Sequence, residues 1–191
     1  DLRYAVPSLL RQKREMTRQT LALLNGRRRF DGYAEIGSKG RYYRGLAAAL
    51  DIRGPRFFID EHAQTFSPAD ILERGQFKRL PRHLPLNDYA PICPNAIPDA
   101  SLDLLVCYVG LHHMTPDTLT AFLASAARAL RPDGLFIVRD HDVCDDSMRA
   151  LVSLAHTVFN AGLGESWETN QRELRYFAPV AHWSRCLRTA G

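Results

Sequence analysis

Apolar runs of strand length alternate along this chain with stretches of helical period. The clearest run is 102–109, where Asp103 is the one polar residue among Leu102, Leu104, Leu105, Val106, Cys107, Tyr108 and Val109. A strand apolar on both faces belongs in the middle of a parallel sheet. Shorter runs predict strands at 33–36, 56–60 and 135–138, with a weaker one at 77–80. Between them lie helical segments. One at 8–24 opens at Ser8 as N-cap and closes at Asn25-Gly26; another covers 41–50, and a short one begins at Ser67-Pro68. A longer helix spans 115–130, with Leu119, Phe122, Leu123, Ala126 and Leu130 on one side, and further helices fall at 146–161, 167–177 and 179–190. Gly54-Pro55 and 131–134 read as turns.

Strands alternating with helices predict an α/β fold, a doubly wound and mainly parallel sheet ordered 3-2-1-4-5. The chain stops where a sixth strand is due, so the C-terminal strand pair of such sheets is expected to be lacking, which leaves 135–138 at an edge. An apolar edge needs cover from a partner segment or subunit, or from the helices at 146–161 and 179–190. Pro81, Pro85, Pro91, Pro94 and Pro98 fall within 18 residues, and so long a loop in a compact domain is usually functional.

Composition narrows the picture. The 191 residues suffice for one domain with its own core, and no apolar run reaches membrane-spanning length. The net charge of +4 is uneven: residues 1–29 hold eight Lys/Arg against two acids, and the remainder has seventeen against nineteen. We therefore divide the chain into a basic N-terminal helix or cover, 1–29, and a cofactor-binding domain, 30–191. No aromatics interleave with the N-terminal charges, which favours a solvated helix face over an RNA-binding surface. Cys93, Cys107, Cys144 and Cys186 are scattered, with no metal spacing and no disulfide framework, as in a cytoplasmic protein.

Candidate chemistry gathers where strands end, because ligands of doubly wound sheets bind at the carboxyl ends of the strands. Gly37, Ser38 and Gly40 make a tight turn between the first strand and a helix, where bare backbone and the helix N-terminus meet a ligand. Glu35 precedes this turn, and a buried carboxylate there requires a partner such as a ligand ammonium or hydroxyl. Asp60 lies 23 positions after Gly37, close to the spacing of an acid that binds a ribose diol, with Glu61 as its neighbour candidate. In the proline-rich loop, Asp88 is placed to accept from an adenine amino group and Tyr89 to pack on the ring. Tyr108 and His141 also fall on this rim. His112, His113 and His141 are the candidate general bases, with Asp140 and Asp142 as orienters of His141. We assign no metal site, since sequence neighbours on an extended strand point to opposite faces.

Four pieces in order make the chain resemble the class I S-adenosylmethionine-dependent methyltransferases. They are the turn Ala34-Glu35-Ile36-Gly37-Ser38-Lys39-Gly40, the acid after Phe58-Ile59, the stretch 98–113 (PDASLDLLVCYVGLHH) and the stretch 129–134 (ALRPDG) before a strand. The family turn has glycines at the positions of Gly37, Lys39 and Arg41; here Gly37 matches and Gly40 is offset. The resemblance implies a Rossmann-like domain over 30–191 that uses S-adenosylmethionine and leaves S-adenosylhomocysteine. Glu35 and Gly37 would lie by its methionine part, Asp60 on the ribose, Asp88 by the adenine, and Tyr108 and Val109 along the pocket. The implied activity is methyl transfer, with a small molecule as expected acceptor and RNA or protein as alternatives. Two other readings stand beside it: a catalytically inactive scaffold or RNA-binding subunit, and a nicotinamide-dependent oxidoreductase. The second lacks G-x-G-x-x-G, and Glu35 would repel a pyrophosphate.

Overall fold

The structure is a computed structural model and describes residues 2–191. Five strands form one parallel sheet: β1 (Arg29–Ile36), β2 (Asp51–Ile59), β3 (His83–Leu84), β4 (Leu102–Tyr108) and β5 (Leu130–Arg139), in the order β3-β2-β1-β4-β5. This is the expected order. Seven helices accompany them: α1 (Leu2–Leu23), α2 (Tyr43–Ala49), α3 (Pro68–Arg74), α4 (Pro116–Ala129), α5 (Asp146–Leu163), α6 (Trp167–Arg172) and α7 (Val180–Ala190). Among the described residues no helix is long and apolar enough to cross a membrane.

Side-chain alternation sorts the core into two layers. Ala34, Ile36, Leu105 and Cys107 face a layer with Phe122 and Leu123 of α4 and Trp183 of α7. Tyr33, Leu104, Val106 and Tyr108 face the other, with Met16 of α1 and Leu46 of α2. Helices therefore cover both faces, as a sheet built from doubly apolar strands requires. α1 begins before the 8–24 segment and carries Pro7 inside it, where the ring supplies no N–H to the helical ladder. It docks through the buried pair Thr20 Oγ1···Tyr108 OH, 2.6 Å.

Several boundaries differ from those expected. The Gly54-Pro55 turn lies inside β2, where it forms a bulge: Asp31 pairs with Arg53 and Tyr33 with Arg56, so Gly54 and Pro55 oppose Gly32 alone. β3 reaches only Phe58 and Ile59, so the Pro55 end of β2 borders no strand on its outer side, and proline is tolerated there. The third strand is His83–Leu84, not 77–80, because Phe77 is exposed and 77–80 pairs with nothing. In β5 the 131–134 turn bulges out between Leu130, paired with Leu102, and Leu135, paired with Leu104. α6 ends at Arg172, and residues 174–179 run without helix. Among the described residues β5 pairs only with β4, and no strand follows it. α7 brings Leu187 and Ala190 onto the cluster that holds Phe136 and Val138.

Candidate functional site

The carboxyl ends of β1, β2 and β4 form one rim. Gly37 turns the chain at φ +74°, donating its N–H to Ile59 O at 2.8 Å. Gly40 is also left-handed, but a Cβ there would strike Leu80 Cδ1 at 2.2 Å. The Gly40 backbone is thus covered by Leu80 and Phe58, whereas a Cβ on Gly37 would meet nothing nearer than the Tyr89 hydroxyl at 4.0 Å.

Glu35 is completely buried, and its carboxylate is spent inside the protein. Tyr33 OH donates to Oε2 at 2.7 Å, while Oε1 accepts from Ser38 Oγ and from Tyr42 N at 3.1 Å. Burial raises its pKa above the usual carboxylate range, with those donors opposing. Glu35 and Ser38 therefore brace the turn, and neither reaches out for a ligand ammonium.

Asp60 stands at the end of β2, half-buried. One carboxylate oxygen accepts His62 N at 3.1 Å; the other takes no donor among the described residues. Burial pushes its pKa up as well. Glu61 holds the next loop, accepting Asp88 N at 3.1 Å. In that loop Asn87, Asp88 and Tyr89 take φ of 50°, 51° and 59° in succession. Consecutive left-handed non-glycine residues are costly and persist only where the surroundings enforce them. They drive the Tyr89 ring inward, so that its hydroxyl lies 3.1 Å from a Cβ built on Gly110 and 4.0 Å from one built on Gly37. Tyr89 thus bridges the crevice between the β1 and β4 turns. Its ring packs near His113 (centroids 6.2 Å apart, 19° between planes) and Phe122. A cavity of about 540 Å³ opens beside it, lined by Glu61, Leu86, Asp88, His113, Met114 and Thr118 among others.

Beyond β4, Val109 sits at φ +63°, an outlier for a β-branched residue, and donates its N–H to Arg139 O at 2.6 Å. Tyr108 turns away from the crevice toward Thr20. The three expected histidines come together beyond the end of β4, His112 lying with its ring centroid 4.1 Å from that of His113 and 5.1 Å from that of His141. His112 is fully buried, with Nδ1 2.7 Å from Asp140 Oδ1. The other oxygen of Asp140 accepts the amides of Gly110, Leu111 and His112. His141 Nε2 meets His156 Nε2 at 3.1 Å. Burial lowers the pKa of His113 and His141, and takes that of His156 down to about 4. His113 alone among them lines the cavity, with Nδ1 3.1 Å from Leu174 O. Asp142 orients nothing in this cluster; it accepts Val180 N at the start of α7. His156 and Glu173 escaped the reading of the sequence because each lies on a helical or coil segment with no motif around it.

An open parallel sheet with a glycine turn after β1 and a half-buried acid after β2 defines a Rossmann-like cofactor domain. Residues 82–138 match the family described as methyltransferase domain. No curated protein sequence matches the chain. Among solved structures, the YcgJ protein of Bacillus subtilis is 17% identical, with TM-score 0.57 over 90% of this chain and 66% of its own. The Burkholderia thailandensis 1,6-didemethyltoxoflavin-N1-methyltransferase, solved with that compound and S-adenosylhomocysteine, is also 17% identical, with TM-score 0.57 over 93% and 66%. An S-adenosylmethionine-dependent methyltransferase from Archaeoglobus fulgidus is 15% identical, with TM-score 0.56 over 93% and 68%. The chain thus spans about two thirds of the length of these proteins. Its fold is that of the class I S-adenosylmethionine-dependent methyltransferases. Neither the oxidoreductase nor the scaffold reading gains support from these likenesses.

Proposed function

We propose that the chain binds S-adenosylmethionine on this rim and transfers its methyl group to a small-molecule acceptor. The observation that carries the reading is the Asp60 carboxylate, half-buried at the end of β2 with one oxygen lacking a donor among the described residues, next to the Gly37 turn behind Tyr89. A ribose diol supplies the donors that this oxygen lacks, and charge-assisted bonds of that kind are the stronger ones. The exposed Asp88 lines the cavity beside Tyr89 and serves the adenine side, where Leu86 and Met114 provide apolar wall. Glu35 and Ser38 contribute by holding the turn, and Tyr108 and Val109 by shaping the end of β4.

The bound sulfonium would supply an electrophilic methyl carbon and a neutral leaving group. What remains for the protein is to hold an acceptor in line and keep water out, and positioning alone supplies several kcal/mol. His113 borders the cavity and is the histidine placed to face an acceptor. His112 and His141 are turned into the cluster behind it. The approximately 540 Å³ of the cavity suits a small molecule. The Burkholderia neighbour, which is described with a small heterocyclic compound, supports the same class.

Tyr89 stands over both glycines, so the cofactor reaches Gly37 only when the 87–89 segment moves. We read this segment as a gate whose ring then packs on the bound molecule. Calorimetric titration with S-adenosylhomocysteine and with NAD tests the proposal. Binding of the former alone supports it; binding of NAD alone, or of neither, overturns it.

A further inference from the structure

We propose that His112, His141 and His156 form a binding site for one divalent transition-metal ion, with zinc the best match. The proposal is independent of methyl transfer. Nothing in the assigned cofactor site uses these three nitrogens.

The three rings come from separate segments: the 3₁₀ turn Leu111–His113 after β4, the residues just after β5, and the middle of α5. One ligand-capable atom of each lies within 4.8 Å of the others. His141 Nε2 and His156 Nε2 are 3.1 Å apart. Two nitrogens bound at about 2.0–2.1 Å around a tetrahedral ion lie roughly 3.3 Å apart. The pair therefore already has the spacing of two ligands of one ion.

His112 decides between this and an ordinary histidine pair. A hydrogen bond between neutral imidazoles would satisfy His141 and His156, but it leaves His112 Nε2 bare. That atom is fully buried and has no partner. A buried nitrogen without a partner is costly. Its state is set from the other side of the ring: Asp140 accepts from Nδ1, so Nε2 presents its lone pair to the cluster. A carboxylate behind a histidine, itself locked by backbone amides, is how ligating histidines are held in tautomer and orientation. Here four amides lock Asp140, those of Gly110, Leu111 and His112 on one oxygen and that of His141 on the other.

The surroundings agree. Phe177 closes one wall, with ring centroids 5.0, 5.5 and 5.2 Å from those of His112, His141 and His156. The backbone around it is fastened, Tyr176 N to His112 O at 2.7 Å and Trp183 Nε1 to His141 O at 3.1 Å. Glu173 lies beyond, 3.8 Å from His156 Nδ1, and is held by Arg175 and Asn160. It is a nearby carboxylate that makes no hydrogen bond to His156, so Asp140 alone backs a ligand directly, and the fourth position is left to water. Three imidazoles suit zinc, copper, iron or nickel rather than magnesium or calcium. His141 and His156 are only partly buried, which gives the ion a way in.

The test uses the full chain after dialysis against a chelator. Zinc chloride is titrated by calorimetry, and cobalt(II) is followed by its visible absorption as a reporter of tetrahedral coordination. The variants are His156→Gln, His141→Gln and Asp140→Asn, with His182→Gln on α7 as control, each checked for folding by circular dichroism without metal. The expected result is one ion per chain, weakened about 10- to 100-fold by Asp140→Asn and further by either histidine variant, and unchanged in His182→Gln. His156 keeps 13% of its side chain exposed whereas Asp140 is fully buried, so its variant keeps the test valid if Asp140→Asn impairs folding. Absence of stoichiometric binding to the wild-type chain overturns the proposal. So does binding that survives both His141→Gln and His156→Gln.

Discussion

At the scale of single residues, the acids on the rim divide by whether their oxygens are already used. Glu35 is committed to three internal donors; Asp60 has an oxygen to spare. The sequence marks both as acids at strand ends and cannot separate them. The partners that occupy Glu35 (the Tyr33 hydroxyl, Ser38 and the Tyr42 amide) become visible only once the turn is folded. The commitment of Glu35 has a consequence for pH. Its folded pKa is raised by burial, so the folded chain holds that proton more tightly than the unfolded one. The associated stability is present below 4.5, the ordinary glutamate value, and is lost as pH rises from there through the raised value. In Glu35→Gln, the Tyr33 hydroxyl can turn from donor to acceptor. Thermal unfolding from pH 4.5 to 7 is expected to show a shallower loss of stability in Glu35→Gln than in the wild type; parallel curves would contradict this. Tyr89 carries a second consequence. If its ring must leave the crevice, Tyr89→Ala should bind S-adenosylhomocysteine at least as tightly as the wild type, by roughly threefold if the open state is a minority. Clearly weaker binding would show that the ring serves the ligand more than it obstructs it.

At the scale of elements, helix periods and the β4 run were legible because burial on one or both faces writes itself into the sequence. The bulges were not. Gly54-Pro55 has the composition of a turn, and only its pairing against Gly32 reveals a strand that continues through it. β3 is two residues long, too short for any pattern, and is held by pairing to β2. Gly32 is where this irregularity demands glycine. Its φ is +91°, and a Cβ would stand 2.2 Å from the backbone oxygen of Ser101. Backbone cannot give way as a side-chain tip can. Gly32→Ala should cost roughly 2–4 kcal/mol in denaturant unfolding, from left-handed strain together with the clash. A loss below about 0.5 kcal/mol, the range of a neutral surface change, would contradict the bulge as described.

At the scale of the whole molecule, one sheet edge gathers what the chain scatters over more than a hundred positions. Parallel strands end on a common rim, and each strand contributes its next residue to it. Sequence position therefore places Gly37, Asp60 and the 110–113 segment on that rim. It does not tell which side chains then meet. His141, expected to face an acceptor, instead meets His156, and His113 is the one at the cavity. The central claim is that the end of β2 holds the ribose of the cofactor through Asp60. Titration of S-adenosylhomocysteine into wild type, Asp60→Ala and Asp51→Asn tests it most directly, since Asp51 lies exposed at the opposite end of the same strand. A charge-assisted bond is worth about 1.5–3 kcal/mol, so Asp60→Ala should weaken binding roughly tenfold or more while Asp51→Asn leaves it within twofold. Equal affinities for wild type and Asp60→Ala would contradict the assignment of this rim as the cofactor site.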